Sequence, residues 1–398
     1  MPESQWAALW PLDPAVSFLN HGSYGACPTE ILRHQSALRA EMEAEPVRFL
    51  GRELEGRLDA ARAALGAFVG ADPDDLAFVA NATGGVNAVL RSLRLEAGDE
   101  LLTTDHAYAA CRNTLDYVAE RTGARVVVAT VPFPVSTPQA VVDVVLAGVT
   151  PRTRLALVDH VTSPTGLVLP LERIVAALSA RGVDTLVDGA HAPGMIPLDL
   201  GRLGAAYYSA NCHKWLCTPK GSAFLWVRRD RQAGIHPLTI SHGAKGERAG
   251  RTRFRLEFDW TGTQDPTAWL TVPRALEYLP GLVEGGWPAL MARNRALALE
   301  ARRRLCAAVG TPPACPDEMI GSLASVLLPD NARTPTGWRV PEPLQARLFD
   351  AHGIEVPVMR WPGPPRRLVR VSCQLYNRLE QYAALADALR KELAAERI

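Results

Sequence analysis

Between residues 76 and 230, short apolar runs alternate with longer stretches of helical spacing. LAFVAN (76–81), ELLTTD (100–105), RVVVATV (125–131), RLALVDHV (154–161), VDTLVDGA (183–190), AAYYSAN (205–211) and SAFLWV (222–227) have strand length and are apolar on both faces. Between them run TGGVNAVLRSLRL and a helical stretch through Tyr117 and Ala119. Strands apolar on both faces and separated by helices predict an α/β fold, with a mostly parallel central sheet covered on both sides.

The pattern changes at about residue 232. From there to about 270 the chain is polar, rich in Gly and Arg and weakly periodic, which predicts a functional loop. From 272 long helical patterns resume, with ALEYLPGLVEGGW and PALMARNRALALEARRRLCAAVG. SLASVLLP and RLVRVSC then read as strands, and YAALADALRKELAAER as a terminal helix. The chain has 398 residues, more than one hydrophobic core usually serves. The expected division is a large domain over 21–272 and a smaller α+β domain over 273–398, with residues 1–20 joining the smaller one.

Composition narrows the function by exclusion. Lys plus Arg number 43 and Asp plus Glu 42, so no electrostatic footprint for nucleic acid or an anionic membrane is expected. No apolar run is long enough to cross a bilayer, and MPESQWAALWPLDPAVSF lacks the form of a signal peptide. The seven cysteines are scattered and contain no C-x-x-C pair, which predicts a reduced, cytoplasmic protein. No two glycines stand two residues apart, so the dinucleotide fingerprint G-x-G-x-x-G is absent, as is the P-loop. Asp188, His191 and His213 are ligand types for a metal hydrolase. That reading leaves Lys214 without a role, and no metal is expected.

The chemistry concentrates in LVDGAHAPG (186–194) and SANCHKWLCTPKG (209–221). One apolar strand ends in Asp188, with His191 three residues on; another ends in His213–Lys214. Ligands of open α/β sheets gather at the carboxyl ends of strands. A lone Asp there is generally a cap and a lone Lys a solvated surface group, so the combination carries the argument. It suits pyridoxal 5′-phosphate (PLP), which takes a lysine as Schiff base and a carboxylate at its pyridine nitrogen. Its phosphate takes a helix N-terminus. Lys214 and Asp188 supply the first two. Asn81-Ala82-Thr83-Gly84-Gly85, at a strand-to-helix turn, suits the phosphate, and Tyr108 is the aromatic to stack on the ring.

These segments, with FLNHGSYGACP (18–28), EPVRFL (45–50), FVANATGGVNAVLRSL (78–93), DHAYAACR (105–112), VTSPTGLVLPL (161–171), WTGTQD (260–265) and VRVSCQLYN (369–377), resemble the fold-type I PLP enzymes of the class V aminotransferase family. Within that family the resemblance is to the isopenicillin N epimerase-like branch, and it spans nearly the whole chain. It implies that Lys214 holds the cofactor and carries the Cα proton, that Asp188 pairs with the pyridine nitrogen, and that His191 lies by the ring. It also implies that Ala82, Thr83 and His213 hold the phosphate, and that Thr162 or Ser163 approaches the ring oxygen. Thr263 would reach the phosphate of a neighbouring subunit, implying a homodimer with shared active sites. Arg370 would bind the substrate α-carboxylate, with Asn20 and His21 lining the entrance. The family's desulfurases carry a nucleophilic cysteine before the carboxylate arginine; here that stretch, GIEVPVMRWPGPPRRLVR (353–370), has none.

The resemblance implies chemistry at the α-carbon of an amino acid. Epimerisation is the leading expectation, and carbon–sulfur cleavage of a cysteine conjugate, as by hercynylcysteine sulfoxide lyase, the alternative. Desulfurase and aminotransferase chemistry follow behind. Epimerisation needs a second proton carrier, and His21, Tyr24 and Cys27 are the candidates. Arg48, Arg251, Arg253 and Arg255 are candidates for a second substrate carboxylate.

Overall fold

The computed structural model describes residues 5–331, 340 and 342–396. Its framework is a seven-stranded sheet in the order β2-β8-β7-β6-β5-β3-β4. The strands are β2 (Leu76–Val79), β3 (Glu100–Thr104), β4 (Arg125–Ala129), β5 (Thr153–Asp159), β6 (Asp184–Asp188), β7 (Tyr207–Asn211) and β8 (Ala223–Val227); β1 (Ser17–Phe18) lies elsewhere. Strands β4, β3, β5, β6 and β7 run parallel, and β8 is antiparallel to both neighbours. An α/β fold with a mostly parallel sheet is therefore what the chain adopts.

Alternation along the strands builds two cores. Ala156, Val158, Val187, Tyr208 and Phe224 face one layer with the helices Leu54–Val69 and Leu171–Ser179. Leu155, Leu157, Leu186, Tyr207 and Leu225 face the other, with the helices Ala82–Ser92 and Ala109–Thr122. Burying both faces places the ionisable groups of β5 and β6 that face the site, Asp159 and Asp188, at the carboxyl ends of those strands. The helix Ala82–Ser92 sits directly on the sheet because Gly85 has no side chain: a Cβ there would stand 2.1 Å from Ser209 Oγ.

Beyond the sheet, the helix Gly286–Val309 and the terminal helix Leu379–Ala395 pack together. Against the first lies an antiparallel sheet of β9 (Leu323–Leu328), β11 (Val358–Met359) and β12 (Arg367–Ser372), in the order β11-β12-β9. The N-terminal β1 pairs in parallel with β10 (Ile354–Glu355). The carbonyl of Leu19 accepts from Ser372 N–H at 2.9 Å, which brings the segment after β1 to the end of β12.

The polar stretch 232–270 is more regular than its sequence suggests. It contains the helices Arg253–Asp259 and Thr267–Leu270. Phe254 and Phe258, one turn apart and 2% and 3% exposed, anchor the first helix to the core. Interleaved arginines and acids had masked that spacing.

Candidate active site

A cavity of about 540 Å³ opens at the carboxyl ends of β5, β6 and β7, closed on one side by the start of the helix Ala82–Ser92 and on another by Ser23–Tyr24. Gly25, at φ +70°, turns the chain there; a Cβ on it would collide with the carbonyl oxygen of His213 at 2.1 Å. The N-terminal segment is thus pressed against the backbone just before Lys214.

Lys214 lies on the cavity wall, its Nζ 3.2 Å from His191 Nε2. Burial lowers its pKa to about 8, helped by the positive charge of Arg370 and opposed by Asp188 and Asp159. Trp215 donates its indole N–H to His191 Nδ1 at 3.4 Å. That places the imidazole proton on Nε2, facing the lysine amine. Burial, then the Lys214 charge, holds His191 well below the usual histidine range, so the ring is neutral.

Asp188 ends β6 and is 3% exposed. Its Oδ1 accepts from Ala190 N–H at 3.0 Å and its Oδ2 from the Cys111 thiol at 3.1 Å. Burial raises its proton affinity, and the Cys111 and Ala190 hydrogen bonds and the Lys214 charge hold it down. Ala82 N–H donates to Asn211 Oδ1 at 2.8 Å, and Asn81 caps the helix by accepting from Gly84 N–H at 2.8 Å. The helix N-terminus therefore opens on the cavity at Ala82 and Thr83. His213 Nδ1 donates to the Ser222 carbonyl at 3.0 Å, and burial lowers its pKa to about 4.

Arg370 stands just behind the cavity, 1% exposed. It donates to the Ser163 carbonyl and, at 3.2 Å, to Ser23 Oγ, both residues of the wall, while its Nε has no partner. Among the described residues no carboxylate pairs with it, an unusual condition for a buried guanidinium. Burial lowers its pKa to about 10, so it stays charged.

The other expected residues divide. Tyr108 and Tyr24 line the cavity and are 44% and 75% exposed. Thr162 does not: its hydroxyl is spent on Thr165 Oγ1 at 2.7 Å and Leu167 N–H at 2.9 Å, and its neighbour Ser163 takes the wall position. Thr263 is exposed and away from this cavity. Asn20 is buried between Glu355 (3.0 Å) and Ser23 (2.6 Å). His21 lies behind the wall, its Nδ1 2.8 Å from Tyr376 Oη and its Nε2 2.9 Å from the Lys214 carbonyl. Cys27 is 6% exposed and also off the wall.

Arg48, Arg251, Arg253 and Arg255 do not converge on the cavity. Arg251 and Arg255 bind Asp59, Arg255 also Asp74 and Asp259, Arg253 the Gly243 carbonyl, and Arg48 lies 3.5 Å from Glu53. Arg251 and Arg255 are thus met by Asp59 and Asp74, acids that lie more than 170 positions away in the linear sequence. The cavity holds residues that sequence reasoning missed: Asp159, Lys220, Asn211 and Ser23. Asp159 alone had a signal, since it ends an apolar run as Asp188 does.

An amine, an acid held by donors and a helix N-terminus, on three sides of a cavity of ligand size, fit PLP and its phosphate. Residues 28–319 match the family Aminotransferase class-V, and the chain belongs to that family. It is a PLP enzyme. The chain is 38% identical over 397 residues to isopenicillin N epimerase of Amycolatopsis lactamdurans, covering 96% of each chain. It is 32% identical to the probable chloroplastic L-cysteine desulfhydrase of Arabidopsis thaliana, covering 95% of this chain and 83% of that one. The fold is similar to that of a C-DES mutant with glycine covalently linked to its PLP cofactor, with a TM-score of 0.78, 22% identity and coverage of 98% and 99%. No helix among the described residues is long and apolar enough to cross a membrane.

Proposed function

We propose that this enzyme inverts the α-carbon of an amino-acid substrate, as an isopenicillin N epimerase-like enzyme. The observation that carries the amino-acid assignment is Arg370, a buried cation whose charge acts on the amine of Lys214 and which has no acidic partner among the described residues. A carboxylate entering the cavity completes that guanidinium, in the forked geometry that suits it.

Lys214, Asp188, Thr83, Ala82 and His213 would hold the cofactor, with His191 and Tyr108 along its ring. When bound, PLP accepts the electrons of the bond broken at Cα. Asp188, anionic and short of a cationic partner in the protein, suits a positively charged ring nitrogen. Arg370 fixes the substrate carboxylate. Lys214, with a pKa near 8, passes between amine and ammonium at the working pH and so takes or returns the Cα proton. His191 is neutral and directs its Nε2 proton at that amine, which orients the lone pair.

Inversion needs a second carrier. Of the three candidates only Tyr24 has its side chain on the cavity wall, and we assign the role to its hydroxyl. All seven cysteines are buried and none lines the cavity, which disfavours a persulfide reaction. Carbon–sulfur cleavage is the second reading, supported by the desulfhydrase relative. The unpaired thiols support a reducing, cytoplasmic setting. We also assign Thr263, exposed and away from its own cavity, to a partner copy's site in a homodimer.

The test is direct. The purified protein is expected to be yellow, with a band that borohydride reduction removes. Candidate amino acids in deuterium oxide are expected to gain deuterium at Cα with inverted configuration. Pyruvate and ammonia without inversion would establish the lyase reading instead.

A further inference from the structure

Strands β5 and β6 run parallel and in register, and Asp159 stands directly beside Asp188 at their carboxyl ends. Both carboxyls line the cavity, at 2% and 3% exposure. Among the described residues neither is in a salt bridge. Two carboxylates this close in a poorly solvated site do not both ionise, so the pair retains one proton.

Hydrogen bonding decides which side chain has it. Both oxygens of Asp188 accept donors, from Ala190 N–H and the Cys111 thiol, and those bonds stabilise its anion. Asp159 Oδ1 is buried and has no hydrogen-bond partner among the described residues. The backbone N–H groups of Ser163 and Tyr108 face the same carboxyl and, with the Lys214 charge from beyond β6, favour its anion; burial and the Asp188 charge oppose them more strongly, and Oδ1 receives no hydrogen bond. Cys111, on the helix above, also faces it, with its thiol held protonated by burial and by Asp188. Arg370 acts on Lys214 and Tyr108 beside it.

We propose that Asp159 keeps a proton on Oδ1 at neutral pH and donates it as a hydrogen bond to an acceptor oxygen of the molecule bound in the cavity. Burial, followed by the Asp188 charge, pushes its proton affinity in the same direction. The acceptor is an oxygen of the cofactor ring or of the substrate. Neutrality at Asp159 also leaves Asp188 as the single negative charge of the pair, so that Lys214 gives up its proton more readily than it would beside two carboxylates. The identity of the acceptor rests on the function proposed above; the proton on Asp159 does not.

Infrared difference spectra of the cofactor-free protein at pH 7, wild type minus Asp159→Asn, are expected to show the carbonyl band of a protonated carboxyl. A carboxylate band in its place overturns the proposal. Loading with PLP is expected to move that band to lower frequency if the ring oxygen is the acceptor. If the substrate is the acceptor, adding an unreactive amino-acid analogue moves it instead. A band that responds to neither removes the donor role and overturns the proposal. In the loaded protein, Asp159→Asn is expected to move the pH midpoint of the absorption band by less than about 0.3 unit, because no charge is lost. A fall of about 1 unit or more would mean that an ionised carboxylate had been removed, which also overturns the proposal. Failure of epimerisation leaves the infrared result standing, so the two outcomes are separable.

Discussion

The Cys111 thiol donates to Asp188 Oδ2 at 3.1 Å, from the first turn of the helix that follows Tyr108. This thiol is a structural donor, with its ionisation suppressed by burial and by the carboxylate it serves. A hydrogen bond to a charged group contributes about 1.5–3 kcal/mol, so its loss leaves the Asp188 anion less stable. Cys111→Ala is therefore expected to weaken PLP binding by about tenfold or more. Cys111→Ser, which keeps a donor, is expected to recover most of the loss. Equilibrium dissociation constants from fluorescence titration of the cofactor-free protein check both.

Lys214 has a lowered pKa, and the sign of its pH dependence follows. Below about pH 8 the nitrogen is protonated and cannot attack; above it the free amine dominates. The rate of covalent cofactor attachment is expected to rise roughly tenfold per pH unit below that point and to level off above it. Arg370→Gln removes a like charge, so the profile is expected to move to higher pH by about one unit. Stopped-flow absorbance measures both curves, and Lys214→Ala is expected to abolish the borohydride-sensitive band.

Tyr24 and His21 lie three residues apart and are expected to fail differently. Tyr24→Phe removes a cavity hydroxyl, and inversion is expected to fall about 100-fold while Cα deuterium exchange persists through Lys214. His21 is fully buried, with a pKa lowered to about 3 by burial, and is bonded to Tyr376 and to the Lys214 carbonyl. His21→Ala is expected to lower unfolding stability by about 2–4 kcal/mol. Chiral analysis with proton NMR tests the first, and denaturant titration the second. Exchange lost together with inversion in Tyr24→Phe would remove it as the second carrier.

Arg255 and Arg370 provide a matched contrast. Arg255 is buried against Asp59, Asp74 and Asp259, which are partly exposed. Arg255→Ala is expected to reduce stability by about 1–3 kcal/mol and leave substrate KM in place. Arg370→Lys keeps the charge but loses the fork, and KM is expected to rise by about 100-fold. Steady-state kinetics and thermal unfolding of the two variants separate a structural cation from a substrate cation.

Several groups that line the cavity are legible in the sequence alone. The strand ends at Asp188 and just before His213–Lys214, and the helix start at Asn81–Thr83, follow from hydrophobic period and capping, which act over a few residues. The carboxyl ends of parallel strands then gather those groups on one edge. Resemblance carried Arg370, which lies 156 positions beyond Lys214 and shares no local pattern with it.

Other features depended on which side chains the packing turned inward. Ser163 rather than Thr162 faces the cavity because Thr162 is held by Thr165 and Leu167. Tyr24 faces it while His21 and Cys27 do not, because a four-residue helix turns at Gly25. Arg251 and Arg255 are held by acids of the helix Leu54–Val69, and Arg253 by the Gly243 carbonyl. Above all, Asp159 became a partner of Asp188 only through strand register, a pairing across 29 positions that no local spacing encodes. Local patterns identify the elements and the chemistry at their ends. Long-range packing and register decide which groups face one another and which are charged, because desolvation and neighbouring charges act through space and not along the chain.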